Sequence, residues 1–128
     1  MFSSIKNQRW LLIGLGGFIG GGLRAMVENL LQSYAPLGTL LINWTGVFVS
    51  VLLTEILVKN WPAWQQWHAD FLSIGLIGAY TTYSTAILEM SQQALVPALV
   101  YWCLSVIGGV LIVLAAQVCA RWIRGNQK

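Results

Sequence analysis

Five consecutive hydroxyl side chains stand inside an apolar segment that is long enough to cross a membrane. The segment 75–90 reads GLIGAYTTYSTAILEM; the five hydroxyl residues occupy 81–85, directly after Tyr80, and the carboxylate of Glu89 follows them. A single buried Thr needs no special role, because its hydroxyl can bond the carbonyl one helical turn earlier. Five together behind two glycines predict a broken helix, which survives in lipid only where it is buried in protein or lines a cavity. At such a break, freed carbonyls can bind a cation and a helix N-terminus can face an anion.

Polar residues in the other apolar segments could extend this chemistry. Asn43 stands in mid-segment, where its amide can bond another helix or offer two N–H donors to an anion. Tyr101 and Ser105 are four residues apart on one helical face, so they either continue a polar stripe or bond a neighbouring helix. Arg24 and Glu28 have the same spacing and form either a structural ion pair or an anion-attracting vestibule around the arginine.

The elements that must position these residues follow from the composition. Only 9% of the 128 residues are charged, whereas soluble domains carry about 25%. A helix needs about 20 apolar residues to cross the hydrocarbon core. The sequence therefore predicts an all-α membrane protein, a single four-helix transmembrane domain over 1–128 with spans at about 10–31, 37–57, 71–91 and 96–122. A bundle this small has little interior of its own, which favours an oligomer.

The basic residues predict the orientation of the bundle. Four spans place both termini and the middle loop on one face, and six of the seven basic residues belong to that face: Lys6, Arg9, Lys59, Arg121, Arg124 and Lys128. The opposite loops, 32–38 and 91–97, hold no Lys or Arg. The positive-inside rule then predicts cytoplasmic termini. Because the basic residues follow the membrane topology, a net charge of +3 does not indicate nucleic-acid binding.

Three separated motifs, together with the four-span length, resemble the Fluc (CrcB) family of fluoride channels. They are GGFIGGGLR (16–24), PLGTLLINWTG (36–46) and GLIGAYTTYSTAILE (75–89), and the resemblance covers the whole chain. It implies an antiparallel, dual-topology-derived dimer of four-helix subunits, each with a broken third helix, in a bacterial inner membrane. It also implies two narrow pores that passively release cytoplasmic fluoride, with membrane lipid around them.

The resemblance assigns roles to individual residues by motif position. It implies that the main-chain carbonyls of Gly78 and Thr81 hold a structural sodium ion, and that Arg24 lies in a vestibule. The implied fluoride pore comprises Asn43, Tyr83, Ser84, Thr85, Glu89, Tyr101 and Ser105. Fluoride is small and strongly hydrated, so hydroxyl and amide donors would have to replace its water shell. The carboxylate of Glu89 does not fit this pattern, since an ionised acid repels an anion.

One departure from the family's usual TTFSTF sequence concerns the pore itself. Tyr83 keeps an aromatic ring there and adds a hydroxyl, whereas Ala86 removes the second ring. The one-sided distribution of Lys and Arg also predicts insertion in a single orientation. Together these features predict a heterodimer, in which this chain is the termini-inside subunit and an oppositely oriented paralogous subunit supplies the intact aromatic residues.

Two other functions stay open on the sequence. A small four-helix multidrug or cation exporter would need a central carboxylate in the first span, and Glu28 lies near the far end with Arg24 one turn away. A non-conducting assembly subunit would tolerate the changes at Tyr83 and Ala86. An enzyme is not expected, because the sequence has one His and no nucleophile–base pair, metal cluster or cofactor motif.

Overall fold

The computed structural model of the chain describes residues 8–58, 63 and 65–126. Four helical segments in this part of the chain are long and apolar enough to cross a membrane: Arg9–Leu30, Leu37–Leu57, Gln66–Ser91 and Leu95–Gly125. They confirm the predicted all-α, four-span fold, and they are called the first to fourth spans below. The third begins earlier than predicted, and the fourth extends further at both ends. Lys6, Lys59 and Lys128 of the charge argument lie outside the described residues.

The second and third spans are irregular helices. The second is α-helical over Leu37–Leu52 and continues as a π-helix over Leu53–Val58. The third is built from shorter pieces, in the order Gln66–His68, a π-helix over Ala69–Ile77, Gly78–Tyr80 and Ser84–Ser91. Residues 81–83 are not helical and separate its last two pieces. The predicted break in the third helix is therefore confirmed.

Glycines bring the first span into backbone contact with the first half of the third. A Cβ at Gly16 would collide with the Phe71 carbonyl, and one at Gly20 would collide with the Leu76 carbonyl. In lipid, where apolar burial drives little association between helices, such close backbone approach supplies the packing. Gly16 and Gly20 form one GxxxG pair of the sequence, and Gly17 and Gly21 form a second. The second pair differs, because nothing lies within 4 Å of the Cβ position of Gly21. Only one of the two glycine pairs packs within this subunit.

The second span packs against the fourth through an aromatic residue. The Trp44 ring lies where a Cβ on Gly108 would stand. Beside it, Leu40, Ala86 and Tyr101 form the small buried cluster of the subunit, with Trp44 partly buried against them. Most other large apolar side chains are exposed on the subunit surface. This distribution fits a bundle whose outer face meets lipid or another subunit.

An ion pair at the termini end of the bundle joins the first and third spans. Arg9 donates two hydrogen bonds to Asp70, at 2.6 Å from Nε and 2.8 Å from Nη2. Gln66 adds a third bond to the same carboxylate at 3.1 Å. The Asp70 side chain is 0% exposed, whereas that of Arg9 is 48% exposed. Bidentate Arg–carboxylate geometry fixes direction as well as distance, so this pair locks the first span to the start of the third.

Candidate functional site

The break in the third span is closed by a side chain from the second span. Thr81 leaves helical geometry with ψ 152°, and the N–H of Thr82 donates to Asn43 Oδ1 at 2.8 Å. Asn43 Nδ2 in turn donates to the Thr82 carbonyl at 2.8 Å. Backbone groups within lipid must find partners inside the protein. The Asn43 amide meets this need by standing in for a peptide group beside Thr82.

The two bonds between the Asn43 amide and the Thr82 backbone, called the clamp below, reduce the number of hydrogen-bond donors that Asn43 can offer to an ion. Its Oδ1 and one of its Nδ2 hydrogens bond the backbone of Thr82. An amide nitrogen carries two hydrogens, so one N–H is left for a further partner rather than two. In an unbroken helix the Thr82 N–H would bond the Gly78 carbonyl, so its bond to Asn43 frees that carbonyl.

Two further contacts hold the residues on the first side of the break. The Tyr80 hydroxyl lies 3.0 Å from Thr45 Oγ1 on the second span. Arg24 Nη1 of the first span donates to the Thr81 carbonyl at 3.5 Å. The Thr81 hydroxyl bonds back to the Ile77 carbonyl at 3.0 Å, which is the ordinary role of a Thr in a helix. Three consecutive residues, 80–82, are thus fixed by groups from two other spans.

The other hydroxyl residues of segment 81–85 divide into an inward pair, Thr82 and Thr85, and an exposed pair, Tyr83 and Ser84. Thr82 Oγ1 accepts from the Thr85 N–H at 3.3 Å and donates to Thr85 Oγ1 at 3.0 Å, at the start of the second half-helix. Ser84 is exposed, and Tyr83 is 80% exposed. The Ser84 hydroxyl lies 3.5 Å from Thr82 Oγ1, at the edge of the inward pair, whereas Tyr83 projects from the surface of the subunit. Polar groups that face outward at this depth require a partner other than lipid.

Glu89 is held by hydroxyls from both neighbouring spans. Thr39 Oγ1 donates to Glu89 Oε1 at 2.8 Å, and the Tyr101 hydroxyl donates to Oε2 at 3.3 Å. Thr39 and Tyr101 are 3% and 4% exposed. Sequence reasoning missed Thr39, although it lies one helical turn before Asn43 and so on the same face. That spacing was the available signal.

A cavity of about 250 Å³ lies beside Thr39, Thr85 and Glu89. Its walls come from the first three spans and the loop between the first two: Glu28, Leu31, Gln32, Ala35, Gly38, Thr39, Thr85 and Glu89. The cavity lies at the end of the bundle opposite the termini. Polar side chains therefore extend from the break, through Thr85, to an open mouth lined by two carboxylates. The term polar row below means Asn43, Thr82, Thr85, Thr39, Glu89 and Tyr101.

The other predicted site residues lie around this row. Arg24 sits between the break and the cavity, with its Nε 3.6 Å from Glu28 Oε1. Ser105 is partly buried one turn after Tyr101 on the fourth span, and Gly78 is exposed on the first side of the break. The structure thus brings Asn43, Thr85, Glu89 and Tyr101 into one connected region. Tyr83 and Ser84 lie on its outer side.

Comparison with known proteins shows the family of the chain. Residues 11–117 match the family model described as CrcB-like protein, Camphor Resistance (CrcB). A protein of Geobacillus kaustophilus named Fluoride-specific ion channel FluC 2 is 36% identical over 120 residues, covering 88% of this chain and 92% of that protein. Fluoride-specific ion channel FluC of Xylella fastidiosa is 37% identical over 126 residues, covering 88% and 87%.

A third relative extends over nearly the entire chain. Fluoride-specific ion channel FluC 1 of Cutibacterium acnes is 32% identical over 139 residues, which cover 99% of this chain and 97% of that protein. Both the family match and these relatives span all four membrane helices and the break in the third. The chain belongs to the CrcB family.

Proposed function

We propose that this chain is a subunit of a fluoride-specific channel that passively releases fluoride across a bacterial inner membrane. The observation that carries the proposal is the connected polar row from the break to the mouth, in a chain related to fluoride-specific channels. The row passes from Thr82 to Thr85 and on to the Thr39–Glu89–Tyr101 group. No part of this function is a catalytic reaction.

Hydroxyl donors explain why such a row suits fluoride. A small, strongly hydrated anion leaves water only where several donors replace its shell, and Thr85 and the second N–H of Asn43 can contribute. Glu89 is compatible with this path because both of its oxygens accept bonds from hydroxyls. These bonds hold the carboxylate in place between Thr39 and Tyr101.

The exposed residues of the hydroxyl segment 81–85 support a dimer. Tyr83 and Ser84 are both exposed on this subunit, and a second subunit would cover them. We propose an antiparallel arrangement in which this chain, with its termini in the cytoplasm, pairs with an oppositely oriented paralogous subunit. The uneven distribution of Lys and Arg supports a single orientation. The numbered names of relatives, such as FluC 1 and FluC 2, agree with the existence of paralogues.

The break also suits the proposed structural sodium ion. Oxygen ligands are those that hard cations prefer, and the two carbonyls in question belong to Gly78 and Thr81. The Gly78 carbonyl is freed because the Thr82 N–H bonds Asn43. The Thr81 carbonyl accepts only a long bond, 3.5 Å, from Arg24 among the described residues. When bound, sodium would offset the negative ends of the carbonyl dipoles at the break.

Fluoride efflux from liposomes tests the proposal. The chain is reconstituted alone and together with a family member of opposite Lys/Arg bias, and efflux is followed with a fluoride electrode. We expect efflux only with the partner present. Efflux from the chain alone would keep the channel function but contradict the obligate heterodimer. Absence of fluoride efflux in both preparations, with proton-dependent transport of a lipophilic cation instead, would favour the exporter.

A further inference from the structure

The two carboxylates in the mouth cavity have different surroundings. Glu89 receives one hydroxyl donor on each oxygen. Glu28 Oε1, by contrast, is buried and has no hydrogen-bond donor among the described residues. Gln32, one helical turn later, donates to Asn29 at 2.9 Å instead of to Glu28. Glu28 thus lines the cavity without a hydroxyl donor on Oε1, and the charge of its carboxylate is balanced by Arg24 rather than by hydrogen bonds to Oε1.

Arg24 is the only basic residue near this carboxylate in the described part of the chain, and its contact is long. Its Nε lies 3.6 Å from Glu28 Oε1, and the two side chains are 33% and 37% exposed. The other end of its guanidinium donates to the Thr81 carbonyl. Arg24 thus lies between the break, where its charge attracts anions, and a carboxylate that opposes this attraction.

We propose that Glu28 limits the rate of anion entry through the mouth of this subunit. The inference rests on the proposed channel function. The charged groups at the mouth are Arg24, Glu28 and Glu89, which sum to one negative charge when all are ionised. Loss of the Glu28 charge makes this sum zero, and Glu89 is then the one acidic group at the mouth that opposes the attraction of anions by Arg24.

The expected effect follows from Coulomb's law in a partly aqueous mouth. Removing one unit charge several ångströms from the ion path raises anion entry by about threefold at low ionic strength. Salt screens this effect, because the Debye length falls from about 30 Å at 0.01 M to about 3 Å at 1 M. A change in helix packing would not show this dependence on salt.

The test compares fluoride efflux from liposomes that contain the conducting assembly with wild-type chain, Glu28→Gln or Glu28→Asp. Efflux is measured at about 0.01 M and about 1 M of a salt with an impermeant anion, because screening separates the two conditions. Glu55→Gln is the matched control, since Glu55 pairs with Arg124 at 3.6 Å at the opposite end of the bundle. We expect a rise of about threefold for Glu28→Gln at low salt only, and wild-type rates for the other two variants.

Three results would overturn the inference. They are an unchanged rate for Glu28→Gln, an equal rise for Glu28→Asp, which keeps the charge, or an equal rise for Glu55→Gln, which would make the effect one of total charge. Failure of the proposed channel function can be distinguished from these results, because it is seen with the wild-type chain before any variant is compared. In that case the wild-type assembly releases no fluoride under any salt condition.

Discussion

The two halves of the third span are held in place by different forces. The first half, 66–80, lies against the glycines of the first span and is locked at its start by Arg9 and Asp70. The second half, 84–91, is fixed by hydroxyl and carboxylate contacts to the second and fourth spans. The close backbone packing of the first half leaves no space for a fluoride ion to pass. The second half instead borders a cavity with its polar side chains. The break therefore separates a structural half from a half that can line an ion path.

Substitution of a packed glycine tests the structural half most severely. In Gly20→Ala, the new Cβ collides with the Leu76 carbonyl, so the first and third spans must separate. We expect the midpoint of thermal unfolding in detergent to fall by more than about 10 °C. Gly14→Ala is the control, because nothing lies within 4 Å of that Cβ position. Equal midpoints for the two variants would contradict the proposed packing.

Removal of the buried carboxylate should have a smaller effect. Asp70→Asn leaves Arg9 without its charged partner, but Arg9 is 48% exposed and water can hydrate it. We expect the unfolding midpoint to fall by about 5 °C. Fluoride efflux per assembled channel should stay unchanged, since the pair lies at the termini end. Loss of efflux without loss of stability would place Asp70 in the ion path and remove the distinction between the halves.

A change at the clamp between Asn43 and Thr82 should lower both the stability of the fold and the rate of fluoride efflux. Asn43→Asp keeps an acceptor for the Thr82 N–H but places a carboxylate against the Thr82 carbonyl, where Nδ2 donates in the native chain. We expect the unfolding midpoint to fall by about 3 °C and efflux by about tenfold. Asn126→Asp serves as the control, since Asn126 is exposed and lies at the termini end of the bundle, away from the mouth. An efflux rate equal to that of the control would mean that the clamp does not shape the path.

The smallest change in stability is expected at Glu89. In Glu89→Gln, the amide oxygen can accept from one hydroxyl and the amide nitrogen can donate to the other, so Thr39 and Tyr101 keep their partners. We expect the unfolding midpoint to stay within about 2 °C of wild type. Glu89→Leu, which leaves both hydroxyls unpaired, should unfold at a clearly lower temperature. If the two variants unfold at the same temperature, these hydrogen bonds do not stabilise the second half.

The sequence predicts the four spans and the break because each is encoded locally. Long apolar runs define the spans, and glycine with consecutive hydroxyls at 75–85 marks the break. The span ends are less accurate, since the π-helical stretches Leu53–Val58 and Ala69–Ile77 have no recognisable sequence signal. The close packing of Gly16 and Gly20 follows from their GxxxG spacing, but the spacing alone does not show that Gly21 faces open space.

The contacts that shape the candidate site could not be predicted in the same way. The Arg9–Asp70 and Thr39–Glu89 pairs join residues 61 and 50 positions apart, and their formation depends on how the spans pack. For Asn43 the sequence left two roles open, a bond to another helix or donors for an anion. The structure shows the first, and the anion role remains a prediction for its second N–H.

Replacement of one hydroxyl by a methyl group tests most directly whether the second half of the third span lines the ion path. Thr85→Val preserves side-chain shape but removes the hydroxyl that lies 3.0 Å from Thr82 Oγ1 and borders the mouth cavity. Thr54→Val is the matched control, because among the described residues the Thr54 hydroxyl bonds only the Ser50 carbonyl within its own helix. Fluoride efflux from liposomes should fall by about tenfold for Thr85→Val and stay at the wild-type rate for Thr54→Val. Equal rates for the two variants would contradict the assignment of this half to the ion path.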